Sequence, residues 1–299
     1  MHKKTIYLLL LVFTSSCNII FHSQNKNIPY HLPSINNNVC KKLKGDVLVY
    51  GIFVDTKFTY PWTEHDIVTT IDSIERALSW IENKACENCI DLAIDFVYHS
   101  NNGIIPISQN LSKKSLSATV FTSGVKTIDR WADKISKEAS SSLGNDSSKL
   151  TKTKIKSANR EKLIARLRDI YKVDNVALIF FVNNYFTDDF SFAFHTNEDY
   201  NIEYSIVSYK NPAVIAHEFL HLFGAIDLYI TPFDKNRKVK KKKAFAMKEF
   251  PDEIMAFTHR KIDTLNISPF TQYAIGWTRS LDDKYKEMLF GKKIKIARY

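Results

Sequence analysis

The sequence predicts a layered α+β domain with an α/β-like core, and three observations carry that expectation. Val176-Ala-Leu-Ile-Phe-Phe-Val182 is a nearly continuous apolar run, the pattern of a central strand buried on both faces. Before it, runs rich in β-branched and aromatic residues alternate with segments of helical apolar spacing. After it, Ala213–Phe223 is apolar all round except for two histidines and a glutamate, so that helix belongs inside the protein.

The elements follow in chain order. Asp46–Asp55 reads as a strand rich in β-branched and aromatic residues. From Thr63 to Asn83, Ile67, Ile71, Ile74, Ala77, Leu78 and Ile81 recur at helical spacing, with Thr63 as N-cap. Ile90–Tyr98 reads as a second strand. The Ser- and Asn-rich stretch 101–122 mixes loop with short strand. Thr127–Ala139 and Ser157–Tyr171 read as helices, separated by a Ser- and Lys-rich surface loop at 140–153. Asp189–Phe194 and Tyr204–Tyr209 read as weaker edge strands. Asn211-Pro212 opens the next helix, since Asn favours the N-cap and Pro the first helical position, and Gly224 ends it.

The chain has 299 residues, enough for one large domain or two small ones. Its 44% hydrophobic and 25% charged residues are ordinary globular values and exclude wholesale disorder. The formal net charge is +10, and much of the excess sits in Lys235–Lys243. That tract reads as a solvated loop, with contact to an anionic surface or acidic substrate as the functional alternative. It lacks the interleaved aromatics of a nucleic-acid surface, so no nucleic acid is expected as partner.

Met1-His-Lys-Lys4 is a short basic start, and Ile6–Phe13 is an apolar run too short to span a bilayer as a helix. The following Thr14-Ser-Ser-Cys17 resembles the lipobox of bacterial lipoproteins, with Thr14 where Leu is usual. The resemblance implies a signal peptide at 1–16, lipidation of Cys17, export to the cell envelope and a membrane contact through that lipid. An ordinary secretory signal is the alternative. Residues 17–40, Asn-rich with two prolines, read as a flexible tether to a folded body at 41–299. Cys86-Glu-Asn-Cys89 lacks the second pair that a structural zinc site needs. Export favours a disulfide from Cys40 to Cys86 or Cys89.

The chemistry concentrates in His217-Glu-Phe-Leu-His221. Two histidines and a glutamate buried without partners are costly, and a metal ion is the simplest partner that satisfies them. His217 and His221, four apart, share one helix face and can ligate one zinc ion. Glu218 need not ligate and can instead take a proton from the attacking water. A catalytic zinc takes three protein ligands and keeps one position open.

Read to Asp227, the run His-Glu-x-x-His-x-x-Gly-x-x-Asp resembles the metzincin clan of zinc peptidases, in the variant with Asp as third ligand. The resemblance implies Asp227 as that ligand, with Gly224 allowing the sharp turn that brings it to the metal. It implies a methionine turn at Glu253-Ile-Met255-Ala, with Met247 as a weaker rival. It also implies an upper subdomain (41–224) built on a twisted mixed sheet, and a small irregular lower subdomain (225–299) with a final helix at Ser268–Trp277. An edge strand, here Asp189–Phe194, would bind substrate backbone. If Asp227 merely caps a turn, Glu249 or Glu253 is the alternative ligand. His195 and His259 read as surface or supporting residues. The expected function is a monomeric zinc endopeptidase acting on a protein or peptide. The rivals are a non-catalytic zinc-containing surface lipoprotein and a zinc amidase acting on cell-wall peptides.

Overall fold

The structure, a computed structural model, describes residues 40–286 except 41, 58, 112–121, 144–158, 184–190, 195–202, 209, 231–233 and 235. The expected signal peptide, Cys17, the tether before Cys40 and His195 lie outside the described residues. The elements are β1 (Gly45–Asp55), α1 (Glu64–Glu87), β2 (Leu92–Tyr98), β3 (Ile107–Ser108), α2 (Thr122–Ser142), α3 (Asn159–Tyr171), β4 (Asn175–Val182), β5 (Ser191–Phe194), β6 (Tyr204–Val207), α4 (Pro212–His221), α5 (Arg237–Glu249), α6 (Pro269–Ala274) and α7 (Asp283–Tyr285). A 3-10 turn at Ile262–Thr264 lies before α6.

The strands form one mixed sheet in the order β2-β1-β4-β6-β5, with β3 beside the end of β1. All pairings are parallel except β5 on β6. As the apolar run predicts, β4 is central, and every residue from Val176 to Val182 is buried. Tyr204–Tyr209 was expected at an edge. Instead β6 is internal, wholly buried between β4 and β5, while β5 takes the edge. Its four residues are too few to reveal a period.

Helices cover both faces. On one face, Trp131 of α2 meets Phe180 edge-on with ring centroids 5.3 Å apart. Arg160 of α3 lies over the Tyr204 ring at 4.7 Å on the same side. Phe181 and Ser205 point the other way, and there Ser205 Oγ donates to Glu218 O of α4 at 2.9 Å. The α1 helix packs beside α4. Gly51 lets β1 and β2 close up on that side, because a Cβ there would stand 2.8 Å from the Phe96 ring.

One buried carboxylate ties the starts of the two helices together. Thr63 and Asp66 form a capping box at the start of α1. Asp66 also takes a charged hydrogen bond from Lys210, just ahead of α4, at 2.5 Å. Asn183, at the end of β4, donates to its other oxygen. Farther on, the segment before β1 grips the segment after α6: Leu43 N–H donates to Ile275 O, and Trp277 Nε1 donates to Leu43 O at 2.8 Å.

Several expectations are corrected. The tract Lys235–Lys243 is not a loop, since α5 takes it up from Arg237 onward. Asn236 caps that helix by accepting from Lys238 N–H, and its Lys and Ala residues, free of Gly and Pro, favour helix despite their charge. The α2 helix runs longer at both ends than 127–139, and α6 is shorter than Ser268–Trp277, with Ser268 as its cap. No disulfide joins Cys40, Cys86 and Cys89. Cys40 is buried with its thiol donating to Val176 O at 3.2 Å, and Cys86 and Cys89 sit at the exposed end of α1. No described helix is long and apolar enough to cross a membrane.

Burial alone would raise the Asp66 pKa, but its bonds from Lys210 and Thr63 override this and lower it from 3.8 to about 2. A depressed carboxylate contributes stability above its unfolded-state pKa and loses it as pH falls through the folded one. Asp66 therefore contributes stability at neutral pH that is lost between roughly pH 4 and pH 2. Urea unfolding of Asp66→Asn should show a midpoint below wild type at pH 7, with the gap closing by pH 2. An unchanged gap across that range would refute the assignment.

Candidate metal centre

The site is built on α4 and the turn that follows it. Asn211 caps α4 by accepting from Ala213 N–H, and Pro212 occupies its first turn. The helix is buried along most of its length, including His217, Glu218 and His221. Gly224 then takes φ +97°, a conformation that favours glycine, and reverses the chain. A side chain would also be crowded, since a Cβ would stand 3.2 Å from Ala274 O of α6. The reversal brings Asp227 back beneath the helix.

Three donors converge there. His217 Nε2 and His221 Nε2 lie 3.0 Å apart, and Asp227 Oδ1 stands 3.2 Å from the first and 3.1 Å from the second. The opposite ring nitrogens are committed elsewhere. His221 Nδ1 is 2.7 Å from Ala225 O, and His217 Nδ1 is 3.3 Å from Ile254 O. A carbonyl oxygen only accepts, so each Nδ1 carries the proton, and in the neutral rings each Nε2 turns a lone pair inward. Two lone pairs and a carboxylate oxygen gathered in this way repel one another unless they share an electrophile. A tetrahedral ion bound at about 2.0–2.1 Å sets its ligands roughly 3.3 Å apart, close to the spacing seen here. Among the described residues, these three form the one cluster of His, Cys, Asp or Glu able to hold a metal ion. Two imidazoles and a carboxylate are a donor set suited to zinc.

Burial raises the Asp227 pKa, but a proton or cation shared with His217 and His221 outweighs it and holds the carboxyl well below the usual range. Glu218 responds the other way. Burial pushes it up to about 8, with His221 opposing the shift and Asp227 adding to it. Its Oε2 is buried without a hydrogen-bond partner among the described residues. A cation held by the adjacent donors would draw Glu218 back toward the ionised form.

The other candidates fall as follows. Met255 is fully buried in the 253–256 turn, whose Ile254 and Met255 carbonyls reach His217 Nδ1 and Leu228 N–H respectively. Met247 instead sits half-buried on α5. Glu249 is taken up by Lys284 and Tyr285, and Glu253 by Met255, Ser268 and Thr271, so neither joins the donors. His259 is exposed against Phe257. Sequence reasoning missed Tyr229, whose ring lies 6.1 Å from that of His217. Burial and the charges of Asp227 and Glu218 push its pKa well up, so it stays a proton donor. Its position two residues beyond Asp227 was the available signal.

Zinc titration should give one site per chain. His221→Ala should weaken it more than about 100-fold, beyond the 10–100-fold usual for groups that only orient ligands. His259→Ala should leave it unchanged. Comparisons with known protein families, with curated proteins and with solved structures find no match to this chain.

Proposed function

We propose that this chain is a zinc-dependent endopeptidase. The observation that carries the reading is the convergence of His217, His221 and Asp227 within 3.2 Å, with a carboxylate oxygen of Glu218 that has no partner among the described residues buried beside them. Zinc bound there would polarise a scissile carbonyl and acidify a water molecule. The chain supplies the rest. Glu218 takes a proton from the attacking water and hands it to the leaving amine. The hydrogen bond from Ser205 Oγ to Glu218 O fixes that turn of α4. Tyr229, held protonated, can donate to oxygen at the reacting carbon as negative charge develops there.

The surroundings fit a peptide. The edge strand β5 is antiparallel to β6 and adjoins α4, so an extended peptide can add to the sheet near the donors. Asp227 is 35% exposed on its side chain while both histidines are buried, so the donor set opens on one side. A purely structural zinc site has no use for a buried glutamate with a vacant oxygen, which favours the catalytic reading over the non-catalytic lipoprotein. Anchorage through Cys17 belongs to the same proposal and would hold the peptidase at a membrane surface.

Glu218→Ala should keep zinc at wild-type stoichiometry and lose about 10²- to 10⁴-fold in kcat on a cleavable peptide found by an unbiased library screen. Full activity in that variant, or no cleavage of any peptide by the zinc-loaded wild type, would sink the reading.

A further inference from the structure

We infer that Glu253 is a positioning residue for the metal centre: its buried carboxylate fixes the 253–256 turn whose carbonyls hold His217 and the backbone beside Asp227. The inference rests on the metal-centre reading above but assigns a role that neither the motif nor the ligand geometry contains.

Glu253 has no exposed surface. A carboxyl buried at such a place is costly unless it is hydrogen-bonded, and here both of its oxygens are met by donors. Oε1 accepts from Met255 N–H at 3.0 Å and from Thr271 Oγ1 at 3.0 Å. Oε2 accepts from Ser268 N–H at 2.5 Å. The side chain thus joins its own turn to the cap and first turn of α6, across 15 and 18 residues of sequence. The backbone reinforces the junction: Asn266 N–H donates to Asp252 O at 2.7 Å, and Ile254 N–H donates to Asn266 O at 3.0 Å.

The consequence lies in the two carbonyls the turn presents. Ile254 O accepts from His217 Nδ1, which sets the tautomer and plane of that ring. Met255 O accepts from Leu228 N–H at 2.9 Å, one residue beyond Asp227. One residue therefore controls the placement of two of the three donors while touching neither. Its chemistry is specific. Two N–H groups and a hydroxyl require an acceptor at both oxygens, and a glutamine would turn its NH2 toward Ser268 or Met255 N–H.

The test compares zinc affinity by titration with the visible spectrum of the cobalt-substituted protein. Glu253→Gln should lose about 10- to 100-fold in zinc affinity and shift the cobalt bands, because ligand geometry changes. Two core variants on the far face of the sheet, Ile135→Val and Leu163→Ala, supply the control for stability alone. They should melt earlier yet bind zinc as wild type does. The inference is overturned if Glu253→Gln matches wild type in affinity and spectrum, or if the core variants lose affinity equally. Should Glu253→Gln fail to fold, Thr271→Val removes one donor and leaves the carboxylate. It should weaken zinc about 2- to 10-fold, and no change there also overturns the inference. A wild type that binds no zinc would remove the metal-centre reading and this inference with it, whereas a zinc-binding wild type with an indifferent Glu253 removes the inference alone.

Discussion

Everything at the site follows from a repulsion. Two imidazole nitrogens and a carboxylate oxygen are held 3.0–3.2 Å apart, a spacing these groups reject without a shared proton or cation. The fold has to hold them there. The α4 helix sets the two histidines on one face. Gly224, with its left-handed backbone packed under Ala274 O, returns Asp227 to them. The carbonyls of Ala225 and Ile254 engage the far nitrogens, so the rings cannot turn their lone pairs away.

The sheet supports this arrangement directly. Its central strands are closed to water, so α4 lies on a rigid apolar floor. Asp66 then sets the start of α4 against α1 and the end of β4, using charge where apolar packing would leave the helix free to slide. That ion pair is well served by hydrogen bonds on both oxygens, the condition under which a buried pair is tolerated.

What could be read from sequence was what is local. The cap Asn211-Pro212, the stop at Gly224 and the spacing of His217 and His221 each depend on a few neighbouring residues, and the structure has them as expected. The strands β1 and β4 announced themselves through unbroken apolar runs. The interior position of β6 was hidden because pairing to β4 is a long-range fact and four residues carry no period. The helix over the lysines is hard to read locally because dense like charge also suits a solvated loop, although helix propensity favours lysine. Tyr229 and Glu253 were missed in role because their partners are set by the turn after α4 and by α6, which no local pattern records. The metzincin-like fold remains a resemblance; the structure itself establishes a mixed, mostly parallel sheet between helices.

The clasp between Leu43 and the Ile275–Trp277 segment has a consequence for the order of events during synthesis. A chain made from its N-terminus presents both histidines and Asp227 well before the carbonyl of Ile254, 37 residues beyond His217, and before α6, whose Ala274 O closes over Gly224. The strand that begins the folded body waits longer still, since Trp277 lies 234 residues after the carbonyl it grips. The donor set is therefore completed at the end of translation, when nearly the whole chain is available. On the proposed reading metal capture would be a late step, and a chain truncated before residue 277 would lose both its first strand's anchor and the floor under the Asp227 turn.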